Sequence, residues 1–245
     1  MGQKIGIVIQ CRLNSLRLPG KVLLPLGKFT IVEHVYRNAT KSKLASECIV
    51  AIPGTRSNEN LAQYLKNKSI PFIIGSEENL VSRHLAAARQ TNLDIIVRIP
   101  SDNPLPHASE IDRIIQHHTS ENIAGFSSNL QQVYDSGYPD GIGAEVFSFE
   151  LLNQINQKES LKSELEHLHL NFFDYSSQTP KSSSIKISTV FCPKNFARPD
   201  IRLDVNTLDD YQYFSDMFDY FGDSDFDICD IIKWNDLLDL SKYKR

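Results

Sequence analysis

The chain has 245 residues and a formal net charge of −4, long enough to bury a large core as one α/β domain of generous size. Hydrophobic residues make up 41% and charged residues 23%, the balance of an ordinary soluble globular protein, and the mild acidity excludes a global field for nucleic acid. No run is apolar enough to span a bilayer and no signal-peptide core opens the chain, so the expected location is the cytoplasm; Cys11, Cys48, Cys192 and Cys229 form no C-x-x-C pair, which argues against zinc or disulfides.

The first element is the apolar run 5–9, read as a buried strand. It empties into Gln10-Cys11-Arg12-Leu13-Asn14-Ser15-Leu16-Arg17-Leu18-Pro19-Gly20-Lys21, a loop with three cations and no acid. Backbone N–H groups can turn toward an anion there while the cations neutralise it, which are the ingredients of a polyphosphate site. A solvated βα loop is the competing reading, and the G-x-x-x-x-G-K-[ST] pattern is absent. Thr30 and Glu33 then form a capping box for a helix over 31–40. The continuous apolar run 48–53 reads as a buried parallel strand ending in a Pro-Gly loop, and ligands of open α/β sheets sit at such carboxyl ends. A helix over 58–68, a strand over 70–75 and an amphipathic helix over 78–90 follow, with Arg83 either a solvated cation or a phosphate ligand.

The run 94–105 is another buried strand, opening into Asp102. A carboxylate at that end, with Pro104 fixing the turn, is well placed to hold Mg²⁺ against phosphates; an Asx-turn is the alternative. A helix over 107–119 carries the adjacent His117 and His118, which read as surface histidines, and 123–126 reads as a strand. The glycine-rich turn within 136–149 carries Asp140 and Glu145. Helices are expected over 150–157 and 163–175, a polar loop over 176–184 and an edge strand over 186–191. Asp204 and Asn206 precede a helix capped by Thr207 with Asp210, whose Tyr211, Phe214, Phe218 and Phe221 read as core packing. An acidic turn, Asp223-x-Asp225-x-Asp227, and a helix through Trp234 end the chain.

The string Arg12-x-x-Ser15-x-Arg17-Leu18-Pro19-Gly20-Lys21 resembles the nucleotide-binding signature of cytidylyltransferases that activate acidic sugars, such as the ketodeoxyoctonate cytidylyltransferases. It is still more similar to that of the spore-coat polysaccharide protein SpsF and its relatives. Matching stretches follow in order: Arg98-Ile99-x-x-Asp102-x-Pro104-Leu105, the turn 136–149, Glu164-Leu165-Glu166-His167, and 198–211. The resemblance implies a three-layer α/β/α, Rossmann-like fold of the nucleotide-diphospho-sugar transferase type with a mostly parallel central sheet. Residues 1–245 would form a single domain, with 130–195 an acceptor-binding or dimerisation subregion.

The same resemblance implies a Mg²⁺-dependent cytidylyltransferase, homodimeric, taking CTP and a small anionic acceptor, with no nucleic-acid or membrane partner. Arg12, Lys21 and Asp102 would be its catalytic set, Asp102 being the metal ligand. Gln10, Arg12, Ser15, Arg17, Gly20, Lys21 and Arg98 would bind the nucleotide, with main-chain groups from Ala51 to Pro53 on its base and ribose. Asp140, Glu145, Glu166 and His167 would face the acceptor. Two positions depart from the pattern: Asn79 stands for an acid, and the second metal-binding Asp falls on Asn206. Asp204, two residues earlier on the same strand face, and Asn206 are both open as the completing ligand. Three other activities stay open: a glycosyltransferase of this fold, which would want a D-x-D motif after a central strand, a transferase for uridine or guanine nucleotides, and a non-catalytic nucleotide-binding or assembly protein.

Overall fold

The structure, a computed structural model, describes residues 2–121, 123, 125–158, 161–222 and 226–243. In chain order the elements are β1 (Ile5–Gln10), a short hairpin of β2 (Pro25–Leu26) and β3 (Phe29–Thr30), α1 (Ile31–Ala39), β4 (Glu47–Pro53), α2 (Glu59–Asn67), β5 (Phe72–Gly75), α3 (Leu80–Thr91), β6 (Ile95–Pro100) and α4 (Ala108–Ser120). The second half adds β7 (Gly125–Ser128), β8 (Glu145–Ser148), α5 (Phe149–Asn156), α6 (Lys162–Glu166), a hairpin of β9 (Phe173–Asp174) and β10 (Thr179–Pro180), β11 (Lys186–Ser188), α7 (Leu208–Phe221) and α8 (Ile228–Asp236).

Seven strands form one sheet in the order β11-β7-β8-β6-β1-β4-β5. β8 runs against its neighbours β6 and β7, and the remaining pairs are parallel. Strands apolar on both faces need cover on both faces. Ile7, Ile9, Val97 and Ile99 pack against α1, α2 and α4 through Val35, Leu65 and Ile111. Val8 and Ile96 pack the other way, against Leu85 of α3 and Leu152 of α5. The mixed α/β architecture with a mostly parallel central sheet is therefore as expected. β1, β4 and β6 are parallel neighbours, so their carboxyl ends open on one edge, where the loops 10–21, 53–56 and 100–104 meet.

The capping box forms as the sequence predicts: Thr30 Oγ1 accepts from Glu33 N, and Glu33 Oε2 accepts from Thr30 N at 2.9 Å. Thr207 and Asp210 do the same for α7. Phe214 and Phe218 of the aromatic stripe are buried beside Tyr213, Leu26 and Trp234, which makes α7 and α8 the wall of a third core.

Two expectations change. The helix over 163–175 stops at Glu166, because the Asn171 side chain takes the carbonyls of Glu164 and Leu168 while Phe172 stacks on Phe126 and Phe147; Tyr175 lies beyond β9. His117 is half-buried and His118 is not a surface histidine. His118 is 2% exposed with Nδ1 2.8 Å from Ser127 Oγ, and His117 Nε2 meets Ser188 Oγ; burial brings His118 down to about 4. Of the acidic turn, Asp223 and Asp225 lie outside the described residues, as does Ala124 of the strand expected over 123–126; Asp227 caps α8. No helix among the described residues is long and apolar enough to cross a membrane.

Candidate active site

Lys21 follows Gly20, whose φ of 71° is the left-handed conformation that glycine adopts without steric cost, and the turn sends the lysine inward. Its Nζ donates to Asp102 Oδ2 at 2.7 Å, to Val205 O at 2.7 Å and to Asn206 Oδ1 at 3.1 Å. Arg17 Nη2 donates to the same Asn206 oxygen at 2.7 Å. The loop after β1, the loop after β6 and the segment before α7 thus close on one ammonium. Val205 N donates to Asp102 O at 2.8 Å, which fixes the last two segments to each other.

Asp204 is also in this cluster. Arg202 donates to its Oδ1 at 3.0 Å and the Asn206 amide to its Oδ2. Asp140 arrives by main-chain pairing: its N donates to Ile201 O at 2.9 Å and its O accepts from Leu203 N at 2.8 Å. Gly141, at φ 97°, allows this approach, since a Cβ there would lie 2.4 Å from Leu203 O. Burial, with Asp204 and Asp102 nearby, holds Asp140 above the usual carboxylate range despite Gln132 and Arg202.

On the α3 side of the sheet lies a second polar cluster. Arg98 Nη1 pairs with Glu145 Oε2 at 2.5 Å and its Nε donates to Gln10 Oε1 at 2.8 Å; the Tyr175 hydroxyl donates to Glu145 Oε1 at 2.6 Å. Burial opposes both charges, and each overrides it for the other, leaving Arg98 raised and Glu145 lowered. His169 stacks on Tyr175 at 4.1 Å, and burial takes it down to about 4. Glu145, expected to face an acceptor, is 1% exposed with both oxygens engaged. It is the ion-pair partner of Arg98, a contact its place in a glycine-rich turn did not reveal.

The other expected residues fall as follows. Arg12 is exposed and Ser15 half-buried, the Ser15 hydroxyl accepting from Leu18 N at 3.4 Å. Ala51 and Pro53 are buried, and the Ala51 carbonyl already accepts from Cys11 N at 3.1 Å. Cys11 is buried filler, its thiol pushed up to about 12 by burial. Glu166 and His167 are exposed at the end of α6; Glu166 faces Lys162, and the His167 ring lies 6.0 Å from that of His169. Asn79 caps α3 through its side chain, a local reason for an amide there. Arg83 is not solvated: it is 3% exposed, Nη1 donates to Ser76 O at 2.6 Å, and burial with Arg12 nearby lowers it to about 10.

Sequence reasoning missed Asn58, Tyr175, His169, Arg202 and the Val205 carbonyl. Asn58 Oδ1 accepts from Leu13 N at 2.9 Å and anchors the cationic loop; an Asn beside a run of helix formers could have signalled it. The carbonyl leaves no mark in a sequence.

Among the described residues no three His, Cys, Asp or Glu side chains form a metal-binding group. The donors around Lys21 Nζ are nonetheless a carboxylate, a peptide carbonyl and an amide oxygen, the hard oxygens that Mg²⁺ takes, and the ammonium shows that a cation fits among them.

A mostly parallel sheet with cationic and acidic loops converging at its carboxyl edge defines a Rossmann-like fold with an anion-binding edge. The sequence profile of the cytidylyltransferase family matches residues 6–212, and the chain belongs to that family. Over 224 residues it is 27% identical to the spore coat polysaccharide biosynthesis protein SpsF of Bacillus subtilis, covering 89% of this chain and 88% of SpsF. A cytidylyltransferase structure from Leptospira borgpetersenii superposes with a TM-score of 0.82 at 26% identity, covering 98% of this chain and 95% of that one. The structure of a CMP:2-keto-3-deoxy-manno-octonic acid synthetase complexed with CTP shares the fold, with a TM-score of 0.63 at 18% identity, covering 89% of this chain and 99% of that one.

Proposed function

We propose that this protein transfers CMP from CTP to an acidic sugar or related small anionic acceptor, releasing pyrophosphate, as a step in surface polysaccharide biosynthesis. The observation that carries this reading is the meeting of Asp102 and Asn206 on the Lys21 ammonium, with Arg17 on the same Asn206 oxygen. The name of SpsF supports the polysaccharide, and that of the octonic acid synthetase supports CTP and an acidic sugar.

In this reading an acceptor oxygen attacks the α-phosphorus in line. The new P–O bond forms as the bond to the bridging oxygen breaks, and pyrophosphate leaves with the electron pair. Positioning and charge neutralisation lower the barrier, since phosphoryl chemistry needs little covalent help. Arg12, Arg17 and Lys21 neutralise the triphosphate, and main-chain groups of Ala51 to Pro53 hold the base and ribose. Asp102, with Asp204 or Asn206, would hold Mg²⁺, which when bound neutralises phosphate oxygens. Glu145 and Tyr175 keep Arg98 aimed, with Gln10 tying it to the loop. Asp140, Glu166 and His167 serve the acceptor side, and a cytoplasmic homodimer belongs to the same reading.

The test is pyrophosphate release from each of the four NTPs with Mg²⁺ and a panel of acidic sugars. Release restricted to CTP supports the proposal. Sugar transfer from a nucleotide sugar, or tight CTP binding with no turnover on any acceptor, overturns it.

A further inference from the structure

An ammonium has three N–H bonds, and those of Lys21 are spent on Asp102 Oδ2, Val205 O and Asn206 Oδ1. The residue is 8% exposed, so this is a built seat with a cation in it and not a surface contact. One carboxylate, one peptide carbonyl and one amide oxygen are equally the donors of a small divalent ion. The neighbouring oxygens are taken in the same way: Arg202 and the Asn206 amide hold Asp204, and Arg17 shares Asn206 Oδ1. Asp102 Oδ2, both carboxylate oxygens of Asp204 and Asn206 Oδ1 are thus engaged by the chain's own donors. A divalent ion arriving alone to take these oxygens would have to displace Lys21, with Arg17 already on the shared Asn206 oxygen, and strip a buried ammonium of its counter-charge, which is unfavourable.

We propose that Lys21 is the resident cation of the metal seat, and that the nucleotide, not the metal, opens it. The triphosphate draws Lys21 off Asp102, and the divalent ion enters on the oxygens released. Lys21 and the metal exclude each other, so nucleotide must bind before the metal or together with it. This rests on the assignment of Lys21 and Asp102 to the nucleotide site.

Mn²⁺ binding by the nucleotide-free protein, followed by electron paramagnetic resonance, tests the exclusion. The wild type should show no protein-bound Mn²⁺ at micromolar concentrations. Lys21→Met should bind Mn²⁺ without nucleotide about tenfold or more tightly, since removing a like charge a few ångströms away is worth at least that much. Adding Asp102→Asn to Lys21→Met should abolish the gain, and Mn²⁺ should raise the melting temperature of Lys21→Met but not of the wild type. If Lys21→Met does not fold, the wild type decides alone: micromolar Mn²⁺ binding without nucleotide overturns the proposal, and its absence supports it. An α,β-methylene analogue of CTP separates the two claims. Nucleotide-free Mn²⁺ binding in a wild type that binds the analogue overturns the exclusion only, whereas failure of the analogue to bind overturns the nucleotide site beneath it.

Discussion

Lys21 Nζ and Asp102 Oδ2 lie 2.7 Å apart although their residues are 81 positions apart in the chain. Parallel pairing of β1 with β6 brings their loops to the same edge of the sheet, and the contact turns two separate sequence signals into one charge cluster.

Removing that charge should show in the chemical step. Lys21→Ala takes away the ammonium assigned to the triphosphate and should slow pyrophosphate release on the order of a hundredfold or more. Steady-state kinetics on protein with an unchanged circular dichroism spectrum measures this, and near-normal turnover would defeat the assignment.

Glu145 should matter through Arg98. Glu145→Gln leaves a buried guanidinium without its counter-charge, and breaking a buried pair costs about 3–5 kcal/mol. The double change Arg98→Met with Glu145→Leu should recover part of that loss. Urea unfolding of the wild type and the two variants gives the comparison; a midpoint unmoved in Glu145→Gln would show that the pair is not formed.

Acid should weaken the α1 cap. Burial opposes the Glu33 charge, but Thr30 N–H, the Tyr64 hydroxyl and the Lys68 ammonium outweigh it and bring the carboxyl down to about 2. A native value below the unfolded one of about 4.3 stabilises the fold above that pH, and the contribution is lost as pH falls toward the native value. Lys68 is partly exposed, so solvent screens its share, and Glu33→Gln should cost about 1–2 kcal/mol at neutral pH. Thermal melts between about pH 6 and 2 should show a shallower acid decline in the variant.

Cys11 should be inert despite its place in the cationic loop. Its thiol is buried and pushed up to about 12 by that burial, and the thiolate is the reactive form. Iodoacetamide should leave it unmodified in the native protein at about pH 8 and label it after unfolding, with mass spectrometry as the readout. Cys11→Ala should retain pyrophosphate release.

Much of the fold was legible because its signals are local. The apolar runs at Ile7 and Val97 are too continuous for a half-exposed strand, and the Thr30–Glu33 and Thr207–Asp210 spacings each satisfy backbone groups within one turn. The string from Arg12 to Lys21 carried its family in the same way, through the order of its residues. The helix expected over 163–175 failed because Asn171 caps early and Phe172 is drawn onto Phe126 and Phe147, so packing outweighed helical spacing. His118 looked solvated for the same reason, its Ser127 partner being on another element.

By itself the sequence determined the parallel strands, the helix caps and which loop is cationic, since each depends on neighbours a few residues apart. Only the tertiary structure decided which charges meet: that Glu145 turns inward to Arg98, and that Asn206 and a bare carbonyl of Val205 join Asp102 around Lys21. Those contacts are set by sheet order and by the return of the segment before α7 to the edge of β6. Coulomb and hydrogen-bond energies act over ångströms, a distance that position in the chain does not encode.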